Sequence, residues 1–296
     1  MVIKAYFFAE KRLSLHGNGV TKLWRLSTIQ IKSSTFTRPE VMAQSKAMIS
    51  FQVMDIVGMR GKTYYLPDHV GFYSTNSGES LALDLSQNIN EILKESIKKR
   101  GRASMAVSGG NTPKLLFEEL SLLNIDWSKV DLTLVDDRWV DSNNEDSNEL
   151  LVNTHFIKNK AEKVNFVPLK NDAKTAKDGI PLSEEALKSF TMPFDIVILG
   201  MGADGHTASL FPCSDELSKG MDLKTKSLLV ATKPKTAPYE RISLTAKSII
   251  EAKKVFLHLN GSSKLHTLEE AMNISDSSKM PIYAFLEHGL DIFWSP

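Results

Sequence analysis

The chain has 296 residues with 42% apolar side chains, enough for a substantial core, and its 36 Lys and Arg against 35 Asp and Glu leave a formal charge of +1. That balance gives no global electrostatic case for nucleic acid or an anionic membrane as a partner, and leaves any anion selectivity to local clusters. A single cysteine, Cys213, excludes an intramolecular disulfide and zinc-finger spacing and fits a reducing, cytoplasmic setting, while no apolar run approaches the roughly 18 residues that a membrane span requires.

Residues 1–59 differ in composition from the rest of the chain. Up to Met54 the only acids are Glu10 and Glu40, set among many Lys, Arg, Ser and Thr. A basic, hydroxyl-rich stretch has the composition of a transit peptide. Met42, Met48, Met54 and Met59 are each possible later starts, so residues 1–59 are taken as a dispensable N-terminal extension, and residues 60–296 as a single domain.

The pattern becomes regular from Val70. Asn76 followed by Glu79 predicts a helix cap with a reciprocal acid, and Leu81, Leu85, Ile89, Leu93 and Ile97 then recur at helical spacing as far as Gly101. Ala103–Val107 is an apolar run of strand length. Ser108-Gly109-Gly110-Asn111-Thr112-Pro113 turns it into a helix beginning near Lys114, with Pro113 suited to the first turn. Val130–Val135 is the next strand and delivers Asp136-Asp137-Arg138-Trp139 at its carboxyl end; a polar loop from Asp141 to Asn148 follows, and then a helix from Glu149 to Ile157. Val164–Leu169 reads as a short strand and Ser183–Phe190 as a helix. Phe194–Leu199, bounded by Pro193 and Gly200, reads as a buried strand running into Gly200-Met201-Gly202-Ala203-Asp204-Gly205-His206. Ser227–Ala231, Arg241–Thr245 and Val255–Leu259 are further strands, Ser262–Met272 a helix carrying Lys264, and Pro281–Leu286 and Leu290–Trp294 terminal strands. Strands alternating with helices predict a three-layer α/β unit, a mostly parallel sheet with helices on both faces.

Four clusters carry chemistry. In the Ser108–Thr112 turn, two glycines let the backbone approach a ligand, and the helix after it offers unpaired N–H groups to a phosphate or carboxylate. Alone it reads slightly more as a tight strand-to-helix connection than as a ligand loop, because it matches neither a Walker A loop nor G-x-G-x-x-G. Asp136 and Arg138 stand where open α/β folds place their crevice; Arg138 offers a bidentate fork to an anion, and the acids can orient it or a sugar hydroxyl. His206 has Asp204 two residues away in a glycine-rich turn, and histidine titrates near neutrality, where a general base works best. Arg241 and Lys264 can jointly fix a dianionic group. No second His or Cys stands at ligand spacing from His206, so neither a metal nor a cofactor is expected.

With these residues in place, the chain resembles the 6-phosphogluconolactonase family over about residues 70–296. The resemblance rests on Ser-Gly-Gly-x-Thr-Pro at 108–113, the acid pair with Arg at 136–138, Ser147-Asn148, Gly-Met-Gly-x-Asp-Gly-His-Thr-Ala-Ser-Leu-Phe-Pro at 200–212 and Arg-Ile-Ser-Leu-Thr at 241–245. Glucosamine-6-phosphate deaminases share the fold and the early motifs, but continue the central one with a glutamate where this chain has Thr207–Pro212. They also usually carry Tyr in place of Arg138. Asp137 departs from the Glu common in lactonases. The resemblance implies a Rossmann-like sheet and metal-free hydrolysis of 6-phospho-D-glucono-1,5-lactone. His206 would be the base, with Asp204 and Arg138 assisting. Ser108, Gly109, Gly110, Asn111, Thr112, Asp136, Arg241 and Lys264 would hold a phosphorylated sugar lactone. Ser108 and Ser209 lack nucleophile-elbow spacing, which argues against a serine esterase. A sugar-phosphate sensor would carry a helix-turn-helix, which the first residues do not display. Neither nucleic acid nor membrane is expected as a partner, and monomer and dimer both stay open.

Overall fold

The computed structural model describes residues 56–57, 63–64, 66–67 and 69–296. The rest of the extension assigned to residues 1–59 lies outside them. In chain order the elements are β1 (Ile56–Val57), β2 (Thr63–Tyr64), β3 (Gly71–Ser74), α1 (Gly78–Arg100), β4 (Ala103–Val107), α2 (Lys114–Leu122), β5 (Val130–Leu134), β6 (Asp136–Arg138), α3 (Asn148–His155), β7 (Asn165–Phe166) and α4 (Ala176–Leu187). After these come β8 (Ile196–Leu199), α5 (Leu217–Gly220), β9 (Leu229–Thr232), β10 (Arg241–Leu244), α6 (Ala246–Ile250), β11 (Val255–Asn260), α7 (Ser262–Ile274), α8 (Ile282–His288) and β12 (Asp291–Ser295).

Seven strands form one parallel sheet in the order β3-β12-β11-β8-β4-β5-β7. Its central strands β4, β5 and β8 are buried at every position, as expected of strands covered on both faces. Winding reverses between β4 and β8: the chain runs outward from β4 through β5 to β7, returns to β8, and runs the other way through β11 to β12. Turns leaving two neighbouring strands at such a switch diverge and leave a crevice at their carboxyl ends. The two glycine-rich turns, after Val107 and after Leu199, are the ones that leave there.

The helices arise from local chemistry with shifts of a few residues. For α1 the cap is Ser77, whose Oγ accepts from the Ser80 N–H at 3.2 Å, so Asn76 and Glu79 do not form the expected reciprocal pair. Leu81, Leu85, Ile89 and Leu93 line its buried face, and Gly101 at φ 82° ends it. In α4 the start lies earlier than expected, at Ala176. Thr175 accepts there from the Asp178 N–H, and Pro181 falls inside the helix.

Two corrections bear on the site. Residues 136–138 do not simply end the preceding strand: they form β6, which pairs antiparallel with β10, itself antiparallel to β9, so a three-stranded second sheet adjoins the mostly parallel one that the sequence predicts. Pro281–Leu286 is no strand. Ile282–His288 forms α8, and a short apolar run does not distinguish the two by periodicity alone. Pro281 caps the helix, and the Ile282 N–H donates to the Gly205 carbonyl at 2.9 Å, docking it beneath the central turn.

Candidate active site

A cavity of about 360 Å³ opens at the carboxyl ends of β4 and β8. Ser108, Gly109, Gly110, Asn111 and Thr112 form one wall, His206 and the backbone of Gly200–Gly202 the floor, and Asp136, Arg138 and Arg241 the side toward the second sheet; Lys264 closes the other end. Ten of the eleven residues singled out from the sequence thus line one space. The eleventh, Asp204, stands just behind His206.

The central turn is fixed by its own hydrogen bonds. The Gly202 N–H donates to the His206 carbonyl at 2.8 Å and the Thr207 hydroxyl to the Gly200 carbonyl at 2.7 Å. Asp204 Oδ1 lies 2.5 Å from His206 Nδ1 and also accepts the His206 backbone N–H at 3.2 Å. Burial works to raise the Asp204 carboxyl, but the adjacent imidazole prevails and holds it below the usual carboxylate range. A carboxylate at Nδ1 assigns the proton to that nitrogen and leaves Nε2 as an acceptor. Behind the imidazole, Phe211 stacks on it with ring centroids 3.8 Å apart. Ala208, also on the cavity, has φ 51°, a left-handed conformation that places strain at the site.

Ser209 ties the turn to the second sheet. Its hydroxyl donates to Asp136 Oδ2 at 2.5 Å, its N–H to Ser243 Oγ at 3.2 Å, and its carbonyl accepts from Thr232 Oγ1 at 3.1 Å. In that sheet Arg138 and Arg241 are directly opposite one another. The Arg138 guanidinium donates through Nη1 to the Asp146 carbonyl, while Arg241, 7% exposed, reaches only the Pro238 carbonyl at 3.5 Å. Burial lowers the Arg241 pKa from its ordinary value, an effect that Asp136 opposes.

Asp137, the residue that departs from the lactonase pattern, faces away from the cavity. Fully buried, it accepts from the N–H groups of Arg138, Asn148 and Glu149 at 2.8, 2.7 and 3.2 Å, and so secures the start of α3. Burial pushes its carboxyl up to about 6 against the pull of those donors. Its effect on the site runs through Asn148, whose Nδ2 donates to the Asp136 carbonyl at 2.8 Å and whose Oδ1 packs on Gly109, where a Cβ would lie 1.8 Å from it.

Two lining residues are not evident from the sequence, Asn148 as a cavity group and His258. The register of β11 on β8 pairs Leu257 with Leu199, which brings His258 level with Gly200 at the cavity end of the strand. Burial pushes this imidazole down to about 4, so it is neutral at pH 7. Among the described residues, four buried side-chain polar atoms have no hydrogen-bond partner, and three of them, Arg138 Nε, Arg241 Nε and His258 Nδ1, belong to residues of this cavity. An orphaned buried group costs about 1–3 kcal/mol, and their concentration in two arginines suits an anionic ligand. Lys264 Nζ is held by the Met201 carbonyl at 2.7 Å. Among the described residues no group of three or more His, Cys, Asp or Glu is arranged to hold a metal ion, and no helix is long and apolar enough to cross a membrane.

A parallel sheet whose switch point joins a glycine-rich turn, an Asp–His pair and two facing arginines, one of them buried, defines an enzyme of the sugar-phosphate-binding α/β class. The chain belongs to the glucosamine-6-phosphate isomerase/6-phosphogluconolactonase family, whose model matches residues 76–294. It is 39% identical over 220 residues to the 6-phosphogluconolactonase of Rhizobium meliloti, covering 73% of this chain and 95% of that protein. The crystal structure of a 6-phosphogluconolactonase from Shewanella baltica superposes with a TM-score of 0.75 at 42% identity, covering 78% of this chain and all of that one. A monomeric glucosamine-6-phosphate deaminase shares the fold, with a TM-score of 0.62 at 16% identity over 76% of this chain and 97% of that one.

Proposed function

We propose that the chain is a 6-phosphogluconolactonase, hydrolysing 6-phospho-D-glucono-1,5-lactone to 6-phospho-D-gluconate in the oxidative pentose phosphate pathway, in the cytoplasm. The catalytic unit is taken as residues 60–296 and residues 1–59 as an extension; the family match over residues 76–294 supports that division. The observation that carries the reading is the Asp204–His206 pair, set at the switch point opposite Arg138 and Arg241 and succeeded by Thr207–Pro212 instead of a glutamate-bearing segment.

In this reading the 6-phosphate is held by the Ser108–Thr112 turn, Arg241 and Lys264. Asp136 and Asn148 face the sugar hydroxyls. His206 Nε2 takes a proton from a water molecule as its oxygen bonds to C1, and the carbonyl electron pair moves onto oxygen to give a tetrahedral oxyanion that Arg138 stabilises. Collapse of that intermediate breaks the bond between C1 and the ring oxygen, which receives the proton from the imidazolium. Asp204 keeps the imidazole in the required tautomer and offsets its transient charge. A lactone is activated enough that no covalent nucleophile is needed.

Proton release from freshly generated 6-phosphogluconolactone, measured beside ammonia release from glucosamine 6-phosphate, tests the assignment. The first is expected and the second is not. His206→Ala should lower kcat by about 10²- to 10⁴-fold with little change in KM, and a variant of near-normal kcat would remove His206 as the base.

A further inference from the structure

Phe211 lies five residues beyond His206 and is 3% exposed. Its ring stacks on the His206 imidazole with centroids 3.8 Å apart and planes 25° apart, and the Arg241 guanidinium carbon lies 5.1 Å from the centroid of the same ring. One apolar side chain therefore touches both the group that handles the proton and the cation assigned to the phosphate.

Neither group is fixed by its hydrogen bonds alone. Arg241 Nε is unpartnered, and the guanidinium makes a single long hydrogen bond of 3.5 Å to the Pro238 carbonyl, so the aromatic face is a main organising neighbour. His206 is held by Asp204 at one ring atom. A single hydrogen bond leaves the imidazole free to tilt about it; a stacked ring removes that freedom. Because Phe211 is buried, it does not yield independently of its neighbours.

We propose that Phe211 is a positioning residue that couples the phosphate-binding arginine to the general base. The ring already carries both groups, so a phosphate that holds Arg241 more firmly against it also fixes the plane of His206 more firmly. Binding energy from the phosphate, remote from the reacting carbon, is then expressed in kcat as well as in KM. The coupling rests on the roles assigned above to His206 and Arg241.

The test compares kcat and KM for 6-phosphogluconolactone and for unphosphorylated glucono-1,5-lactone in the wild type, Phe211→Leu and Phe211→Tyr. It is joined by NMR of the His206 ring protons, which report the stacking directly, during titration with inorganic phosphate. Phe211→Leu should lower kcat on both lactones, because the imidazole loses its stacked support, and by about tenfold more on the phosphorylated one, so that the ratio of the two falls. Phe211→Tyr, which keeps the ring, should restore it. In the wild type, phosphate should shift the His206 resonances, and in Phe211→Leu phosphate should still bind without that shift. A Phe211→Leu enzyme that keeps the wild-type kcat ratio overturns the proposal. So do wild-type His206 resonances that do not respond to saturating phosphate, a result that needs no variant to fold. Either failure leaves His206→Ala inactive, whereas an active His206→Ala enzyme sinks the lactonase mechanism itself.

Discussion

The space allotted to His206 is set by the residue it folds back upon. A Cβ at Gly202 would lie 2.1 Å from both Nδ1 and Cε1 of the imidazole and 2.7 Å from Asp204 Oδ1. Contacts that short force movement, and the atoms that must move are those of the dyad, since the Gly202 N–H is also bonded to the His206 carbonyl. Gly202→Ala should therefore lower kcat by about 10²-fold, the lower end of what general-base assistance supplies, while the folded state persists because the turn lies outside the packed sheet. A thermal melt beside the kinetic assay separates the two effects. A Gly202→Ala enzyme with wild-type kcat would mean that His206 need not sit where it does.

Among elements, the pairing of β6 with β10 decides the character of the cavity. It sets Arg138 directly across from Arg241, a like-charge pairing that destabilises a sheet unless an anion lies between or beside the charges. Arg241→Ala should accordingly raise KM for the phosphorylated lactone by about tenfold to a hundredfold, as expected for one charge-assisted contact, and change KM for the unphosphorylated lactone far less. Equal losses on both substrates would argue against a phosphate contact. The sequence made the two glycine-rich turns legible, because an apolar run ending in glycine is a local signal. It did not reveal the second sheet. Its strands are three or four residues long, and β6 meets β10 across about a hundred residues of chain, so no local pattern encodes their antiparallel pairing. His258 was missed for a related reason: it sits in an unbroken strand, and only the register of β11 on β8 brings it to the cavity. The helix α8 was mistaken for a strand because seven mostly apolar residues suit either, and its docking on Gly205 is a tertiary fact.

For the whole molecule, two buried groups near the site pull stability in opposite directions with pH. His258 is pushed down to about 4 from 6.5, so the folded state prefers it neutral. Its contribution is present above pH 6.5 and is lost as pH falls toward 4, where the unfolded chain binds the proton first. Asp137 is pushed up to about 6 from 3.8, so the folded state prefers it protonated. Its contribution is present below pH 3.8 and is lost as pH rises through 6. Each shift corresponds to about 3 kcal/mol across its window, and the windows overlap, so the two slopes largely offset one another in the native protein. Removing either group should expose the other. Denaturant unfolding between pH 4 and 6.5 should show Asp137→Asn gaining stability as pH rises and His258→Leu losing it, each read as a slope relative to the native protein so that a uniform destabilisation drops out. Parallel slopes in the two variants would show that neither group is held in the protonation state its burial dictates. His258, lowered by its burial, lines the cavity that the substrate phosphate would enter. A bound phosphate anion would favour the imidazolium, so saturating phosphate should flatten the slope seen in Asp137→Asn, joining the stability of the fold to occupancy of its site.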